Sequence, residues 1–257
     1  MDLQLNGKVA IVTGASKGIG RAIAQMLADE GMRVVAVART RAALEALASP
    51  LGDVCLVQAV DLIDPDAPAA VVSATIARYG QLDVLVNNAG STKRGDFLTL
   101  SEADWADGFG LKFFGAVRLA RAAWPHLVAA RGAIVNIVGI GGRTGNAEFA
   151  IGGAVNAAML NLTKVLADRG VKDGVRVNAI NPGGIVTDRL RARLKTFAAE
   201  HKVEPNEAER QMAHALGVAR FGQPVEIARL VAFLASPQAG FCQGSIVDAD
   251  GGQTRTL

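Results

Sequence analysis

Tyrosine is nearly absent from this 257-residue chain: there is one, with two tryptophans, two cysteines and three histidines. Each scarcity excludes something. Cys55 and Cys242 have no metal-ligand spacing, and no secretory context marks them as a disulfide pair. No two histidines stand at ligand spacing with a carboxylate, so no metal site is expected. No unbroken apolar run approaches the roughly 20 residues that span a bilayer. The opening MDLQLNGKVAIVTGASKG has no basic segment followed by an apolar one, which predicts a cytoplasmic protein with no membrane partner. Aromatics are 5% of the chain and no basic stripe is interleaved with them, which argues against a nucleic-acid partner. The densest basic run, Arg189 to Lys195, alternates with leucine and reads as one face of an amphipathic helix. The net charge is only +3.

What is present is apolar sequence in regular alternation. Half of the residues are hydrophobic and a fifth are charged, which excludes disorder. A chain this long buries roughly 70–75% of its unfolded surface and needs no staple. Strands are expected at residues 8–12, 33–37, 54–60, 82–86, 133–138, 175–180 and 245–247. Helices are expected at 18–29, 41–48, 67–78, 155–169 and 225–235, with a longer helical region over 101–130 in two pieces. Continuous apolar strands between helices indicate a parallel sheet covered on both faces, and right-handed crossovers make it doubly wound and Rossmann-like. No linker interrupts residues 1–257, so one domain is expected. The charged stretch 188–222 breaks the alternation just past a strand end and is a candidate substrate lid within that domain.

The first strand runs into Gly14, Ser16, Lys17, Gly18, Ile19 and Gly20, where a helix begins. Glycines at such a junction permit a tight turn and bring backbone N–H groups close to a pyrophosphate. The acid that would hold a ribose 2′-hydroxyl at the end of the second strand is missing; Ala38-Arg39-Thr40-Arg41 stands there. An arginine in that place, with Lys17 in the turn, favours a 2′-phosphate, so NADP(H) is expected over NAD(H).

TGASKGIG at 13–20, Asp61-Leu62, Asn87-Asn88-Ala89-Gly90, Ile134-Val135-Asn136-Ile137, RVNAINPG at 176–183, Thr187, Arg220 to Pro224 and Asp250-Gly251-Gly252 together resemble the short-chain dehydrogenase/reductase family along essentially the whole chain. The resemblance implies about seven parallel strands, a small-molecule carbonyl or alcohol substrate, and a dimer or tetramer. It implies that Asp61 and Leu62 hold the adenine, that Asn88, Ala89 and Gly90 line the ribose, and that Pro182, Gly183, Ile185 and Thr187 border the nicotinamide.

The same resemblance implies a catalytic tyrosine, lysine, serine and asparagine, and here the pattern departs. Alignment on Asn156-Ala157-Ala158-Met159 puts Gly152 at the tyrosine, Asn156 at the lysine, Gly139 at the serine and Lys112 at the asparagine. Tyr79 precedes the fourth strand, on the far side of such a scaffold. Two glycines in place of side chains predict a larger void beside the nicotinamide, into which Lys112 extends, with Glu148 as its partner. Three readings stay open: an oxidoreductase with other acid–base groups, a silent nucleotide-binding sensor or partner subunit, and a non-redox lyase or isomerase on the same scaffold. His126, His201, His214, Ser91, Thr92 and Arg94 are weaker polar candidates, Arg94 as a possible carboxylate holder.

Overall fold

The computed structural model describes residues 1–255; the last two residues of the expected domain lie outside the described residues. Seven strands form one parallel sheet in the order β3-β2-β1-β4-β5-β6-β7. They are β1 (Val9–Thr13), β2 (Arg33–Ala38), β3 (Cys55–Ala59), β4 (Val84–Asn87), β5 (Ala133–Ile137), β6 (Arg176–Pro182) and β7 (Ile246–Ala249). The helices are α1 (Gly18–Asp29), α2 (Arg41–Ala48), α3 (Ala67–Tyr79), α4 (Glu102–Phe109), α5 (Gly115–Ala130), α6 (Ala150–Asp173), α7 (Asp188–His201), α8 (Pro205–Ala215) and α9 (Pro224–Ala235).

The sheet is buried on both faces because its central strands are mostly apolar, and the asparagines they carry are hydrogen-bonded. Val9–Thr13 and Ala133–Ile137 are buried throughout. Side chains alternate between the faces with the strand period of two. Ala10, Val12, Val34, Ala36 and Val135 meet Ile23 and Leu27 of α1, Leu44 of α2, and Ile227 and Val231 of α9. Ile11, Val35, Val37, Leu85 and Ile134 meet Val71 of α3 and Leu119, Ala123 and Leu127 of α5. The expected doubly wound architecture is therefore present.

Two element expectations need correction. α6 runs from 150 to 173 rather than 155 to 169, although Gly152 and Gly153 lie in its first turn. Their low helix propensity is overridden by the packing of Ile151, Val155 and Met159. Its segment Ala147–Asp173, with mean hydropathy 1.3, is long and apolar enough to cross a membrane, but it lies along the sheet, and buried Thr163 donates to its own Met159 carbonyl while accepting from Asn136. The region 101–130 is not simply two helices. A five-residue π-helical stretch, Gly110–Phe114, joins α4 to α5 without a break. A wide turn of this kind re-aims the side chains it carries.

Two buried hydrogen-bond systems set the strand ends. Asn87 on β4 donates to Asn136 on β5 at 2.9 Å, and Asn136 donates to Thr163 on α6 at 2.9 Å. Arg176 donates to the carbonyls of Leu234 (2.7 Å) and Ala235 (3.0 Å) at the end of α9, where helix carbonyls lack partners of their own.

Candidate functional site

Strand order reverses between β1 and β4, so the chain leaves these two strands toward opposite sides and opens a crevice beyond their carboxyl ends. Thr13 closes its floor. Its hydroxyl accepts from the backbone N–H groups of Asn88 and Ala89, both at 2.9 Å, and donates to the Val86 carbonyl at 3.2 Å. The Asn88 amide donates to the Thr13 carbonyl at 2.9 Å. Thus Asn88, Ala89 and Gly90 are clamped against the turn that leads into α1.

That turn requires its glycines. Gly14 has φ +67°, and a Cβ there would stand 2.8 Å from the Asn88 amide nitrogen. A Cβ on Gly20 would stand 2.2 Å from the Gly14 carbonyl oxygen, so only glycine lets α1 approach the turn this closely. Gly18 has φ +57° and faces the Thr187 side chain at 3.2 Å from its ideal Cβ. A cleft of about 360 Å³ opens there, lined by Ser16, Lys17, Gly18, Arg21, Thr187 and Arg191 among others. Free N–H groups at a helix start beside three cations suit an anionic group such as a pyrophosphate. The glycine cradle thus fits a dinucleotide: no bulk fills it, and its backbone donors have no side-chain competitor.

Arg39 does not join that cleft. It lies exposed at the end of β2, 3.7 Å from the Asp61 carboxylate past the end of β3. The two residues singled out for the adenosine end are therefore neighbours, paired with one another. Leu62 beside them is buried. Pro182 and Gly183 end β6, with Gly183 packed on Asp250, and Ile185 bridges to Gly222. Ile19 is half-buried at the start of α1, against the core on the α1–α9 face.

Lys112 sits in the π-helical stretch, and its side chain turns inward past Gly90, where an ideal Cβ would lie 2.8 Å from Lys112 Cδ. Its Nζ donates to the Val138 carbonyl and to Asn156 Oδ1, both at 2.6 Å. Burial, and after it the nearby Arg189 guanidinium, lower the Lys112 pKa to about 8. Desolvation disfavours the ammonium, and none of its hydrogen-bond partners is a carboxylate.

The expected Glu148 partnership is not formed. Glu148 is exposed, and its backbone N–H donates to Asn146 Oδ1 at 3.0 Å. Its carboxylate acts instead on Arg94, whose ionisation it favours. The expected void is also corrected. A Cβ on Gly152 would fall 2.1 Å from the Phe149 ring, and one on Gly141 would fall 2.9 Å from it. The ring of Phe149 fills the space at Gly152 and Gly141, while the space at Gly139 adjoins the Asn156 amide instead. Arg94 lies over that ring, 4.3 Å from its centroid. Phe149 was not singled out from sequence, though its position three residues before Gly152, one helical turn, was the available signal.

Gly139 has φ +127°, and a Cβ there would stand 3.1 Å from the Asn156 amide nitrogen. Its N–H donates to Asn181 Oδ1 at 3.3 Å. Tyr79 lies at the amino-terminal end of the sheet, its hydroxyl 3.4 Å from the Asp53 carbonyl and its ring within 6 Å of Arg33 and Arg78. It is remote from the glycine turn. His201 stacks on Phe197 with centroids 3.9 Å apart, and His214 is exposed, so neither enters the crevice. Among the described residues, no group of three or more metal-ligating side chains occurs.

Glycine turn, clamped Asn88, and a doubly wound parallel sheet define a dinucleotide-binding oxidoreductase scaffold. A family profile described as enoyl-(acyl carrier protein) reductase matches residues 14–254. The 3-oxoacyl-(acyl-carrier-protein) reductase of Vibrio cholerae is 35% identical over 252 residues, which is 97% of this chain and 98% of that protein. The crystal structure of L-sorbose reductase from Gluconobacter frateurii, complexed with NADPH and L-sorbose, matches with TM-score 0.95 and 34% identity, covering 100% of both chains. A short-chain oxidoreductase from Pseudomonas aeruginosa, described as containing an atypical catalytic center, matches with TM-score 0.92 and 31% identity over 98% of this chain and 99% of that one. The protein belongs to the short-chain dehydrogenase/reductase family.

Proposed function

We propose that this protein is an NADP(H)-preferring oxidoreductase acting on a small carbonyl or alcohol compound, with Lys112 in place of the family's tyrosine as the proton-transferring group. One observation carries the reading. Lys112 Nζ turns inward past Gly90 and is held between Val138 and Asn156, next to Gly139, which carries no side chain. The family resemblance puts an asparagine at 112 and a lysine at 156. Here the two residue types are exchanged, and their side chains meet at 2.6 Å.

The residues that would hold the nucleotide are Gly14, Ser16, Lys17, Gly18 and Ile19 for the pyrophosphate and Asp61, Leu62, Asn88, Ala89 and Gly90 for the adenosine. Pro182, Gly183, Ile185 and Thr187 would border the nicotinamide. Lys17 and Arg39 favour a 2′-phosphate, Arg39 by leaving its exposed pair with Asp61. The reduced nicotinamide supplies hydride when bound. Lys112 does the rest: its ammonium stabilises the developing oxyanion and gives it a proton. Val138 and Asn156 fix the direction of Nζ. Residues 188–222 act as a substrate lid; Leu190, Leu194, Ala213, Val218 and Phe221 give α7 and α8 a small core of their own. The protein assembles as a dimer or tetramer.

The test is a fluorescence titration with NADPH and with NADH, followed by turnover on carbonyl substrates by wild type and Lys112→Met. NADPH binds at least about tenfold tighter than NADH, and turnover falls about 10²–10⁴-fold in the variant. Equal affinity for both nucleotides overturns the NADP(H) preference. Unchanged turnover in Lys112→Met overturns its role. Tight binding with no turnover on any carbonyl favours the silent sensor, and Phe149 filling the tyrosine's space is the observation that fits it.

A further inference from the structure

The mouth of the crevice holds cations without matching acids. Arg94 leaves the β4 loop and lies over the Phe149 ring, 4.3 Å from its centroid. Arg189 and Arg193 are four residues apart on α7, so they share one face of that helix. Both are near enough to Arg94 to disfavour its charge, and Arg189 acts on Lys112 in the same way. Arg191, between them, is satisfied by Asp188 at 3.1 Å. Among the described residues, no carboxylate forms an ion pair with Arg94, Arg189 or Arg193, whereas ten other ion pairs do form. The acid that acts on Arg94 is Glu148, at a distance longer than an ion pair.

These cations repel one another, the exposed Arg189 and Arg193 through screening water, and an anion between them relieves that repulsion. The stack on Phe149 keeps Arg94 in one orientation, with its planar fork available for a bidentate contact. Phe149 in turn is seated on Gly141 and Gly152, and Gly141 also adjoins the Asn156 amide that Lys112 contacts. The group that would bind an oxyanion is thus built onto the same ring that closes the reacting end of the crevice.

We propose that Arg94, with Arg189 and Arg193 of the lid, selects a substrate that carries an oxyanion, a carboxylate or a phosphate, in addition to its carbonyl or alcohol. This rests on the reading of Lys112 as the reacting end. The anion draws α7 toward the β4 loop, so that recognition and lid closure are one event.

Calorimetric titration with inorganic phosphate, in saturating NADP⁺ so that nucleotide phosphate sites are filled, tests it without any need to know the substrate's length. Wild type binds phosphate, and Arg94→Gln and Arg193→Gln each weaken it about tenfold. Arg121→Gln, an exposed arginine on α5, leaves it unchanged. NADPH titration of the same variants matches wild type. Phosphate affinity unaltered in both Arg94→Gln and Arg193→Gln, or equally lost in Arg121→Gln, overturns the proposal. If wild type takes up no nucleotide, the cofactor reading fails separately, and the phosphate titration without NADP⁺ still decides this one.

Discussion

At the scale of single residues, the site is governed by what glycine omits. Gly139 at φ +127° is a backbone that serine adopts only under strain, so the sequence here does not merely lack a hydroxyl; the chain has taken a conformation that discourages one. Gly152 is different, since its backbone is helical and its space is taken by Phe149. Gly152→Tyr alone is therefore expected to lower stability by about 1–3 kcal/mol, because a Cβ meets the ring. Phe149→Ala in the same chain recovers part of that loss. Thermal denaturation of the two single variants and the double variant measures the coupling; strictly additive losses would contradict the packing. Asn156, Gly139 and Lys112 were legible as departures from a family pattern. Lys112 was expected to extend inward, but the π-helical stretch that re-aims it was not legible, because spacing assumes an unbroken α-helical rotation. The Glu148 pairing failed for a related reason. Spacing placed it near the site, but Asn146 accepts from its backbone N–H and holds the short turn at 147–149 with the carboxylate outside.

At the scale of elements, α1 and α2 match their expected bounds, since Gly18 and Arg41 follow clear breaks and the apolar spacing runs cleanly to their ends. α6 was expected five residues too late, since glycines at 152 and 153 argue locally against a helix that tertiary packing imposes. α9 shows how a motif can be structural. Arg220 grips Glu226 with two hydrogen bonds of 2.9 and 2.7 Å, and Glu226 also accepts from the Gln223 backbone at the helix start. Arg220, and after it the Gln223 N–H, lower the Glu226 pKa to about 2. A carboxylate held this way stabilises the fold above its unfolded value of about 4.3, and the contribution fades as pH falls toward 2. Glu226→Gln is expected to melt below wild type at pH 7, with the difference narrowing below pH 4 and vanishing only below pH 2. A melting difference independent of pH would show that the ion pair is not its source.

At the scale of the whole molecule, alternation of apolar strands and helices was enough to give a doubly wound sheet, because burial on both faces favours near-continuous apolar strands. The proposed oligomer needs apolar surface to bury, and some is exposed. Phe114, Val128, Val165 and Val171 are exposed apolar side chains on the π-helical stretch, α5 and α6. Light scattering after size exclusion is expected to give a mass at least twice 26.6 kDa, and a monomer mass would refute the proposed oligomer. The proposed function depends on an amine held between the Val138 carbonyl and Asn156 Oδ1. The direct measurement is a pH titration of carbon-13 at lysine Cε, with Lys112→Met to assign the resonance. A Lys112 midpoint near 8 is predicted, well below the ordinary value of about 10.4, so that the ammonium is half-ionised close to working pH. A midpoint at or above 10 would mean a solvated surface lysine and would contradict the account of the site.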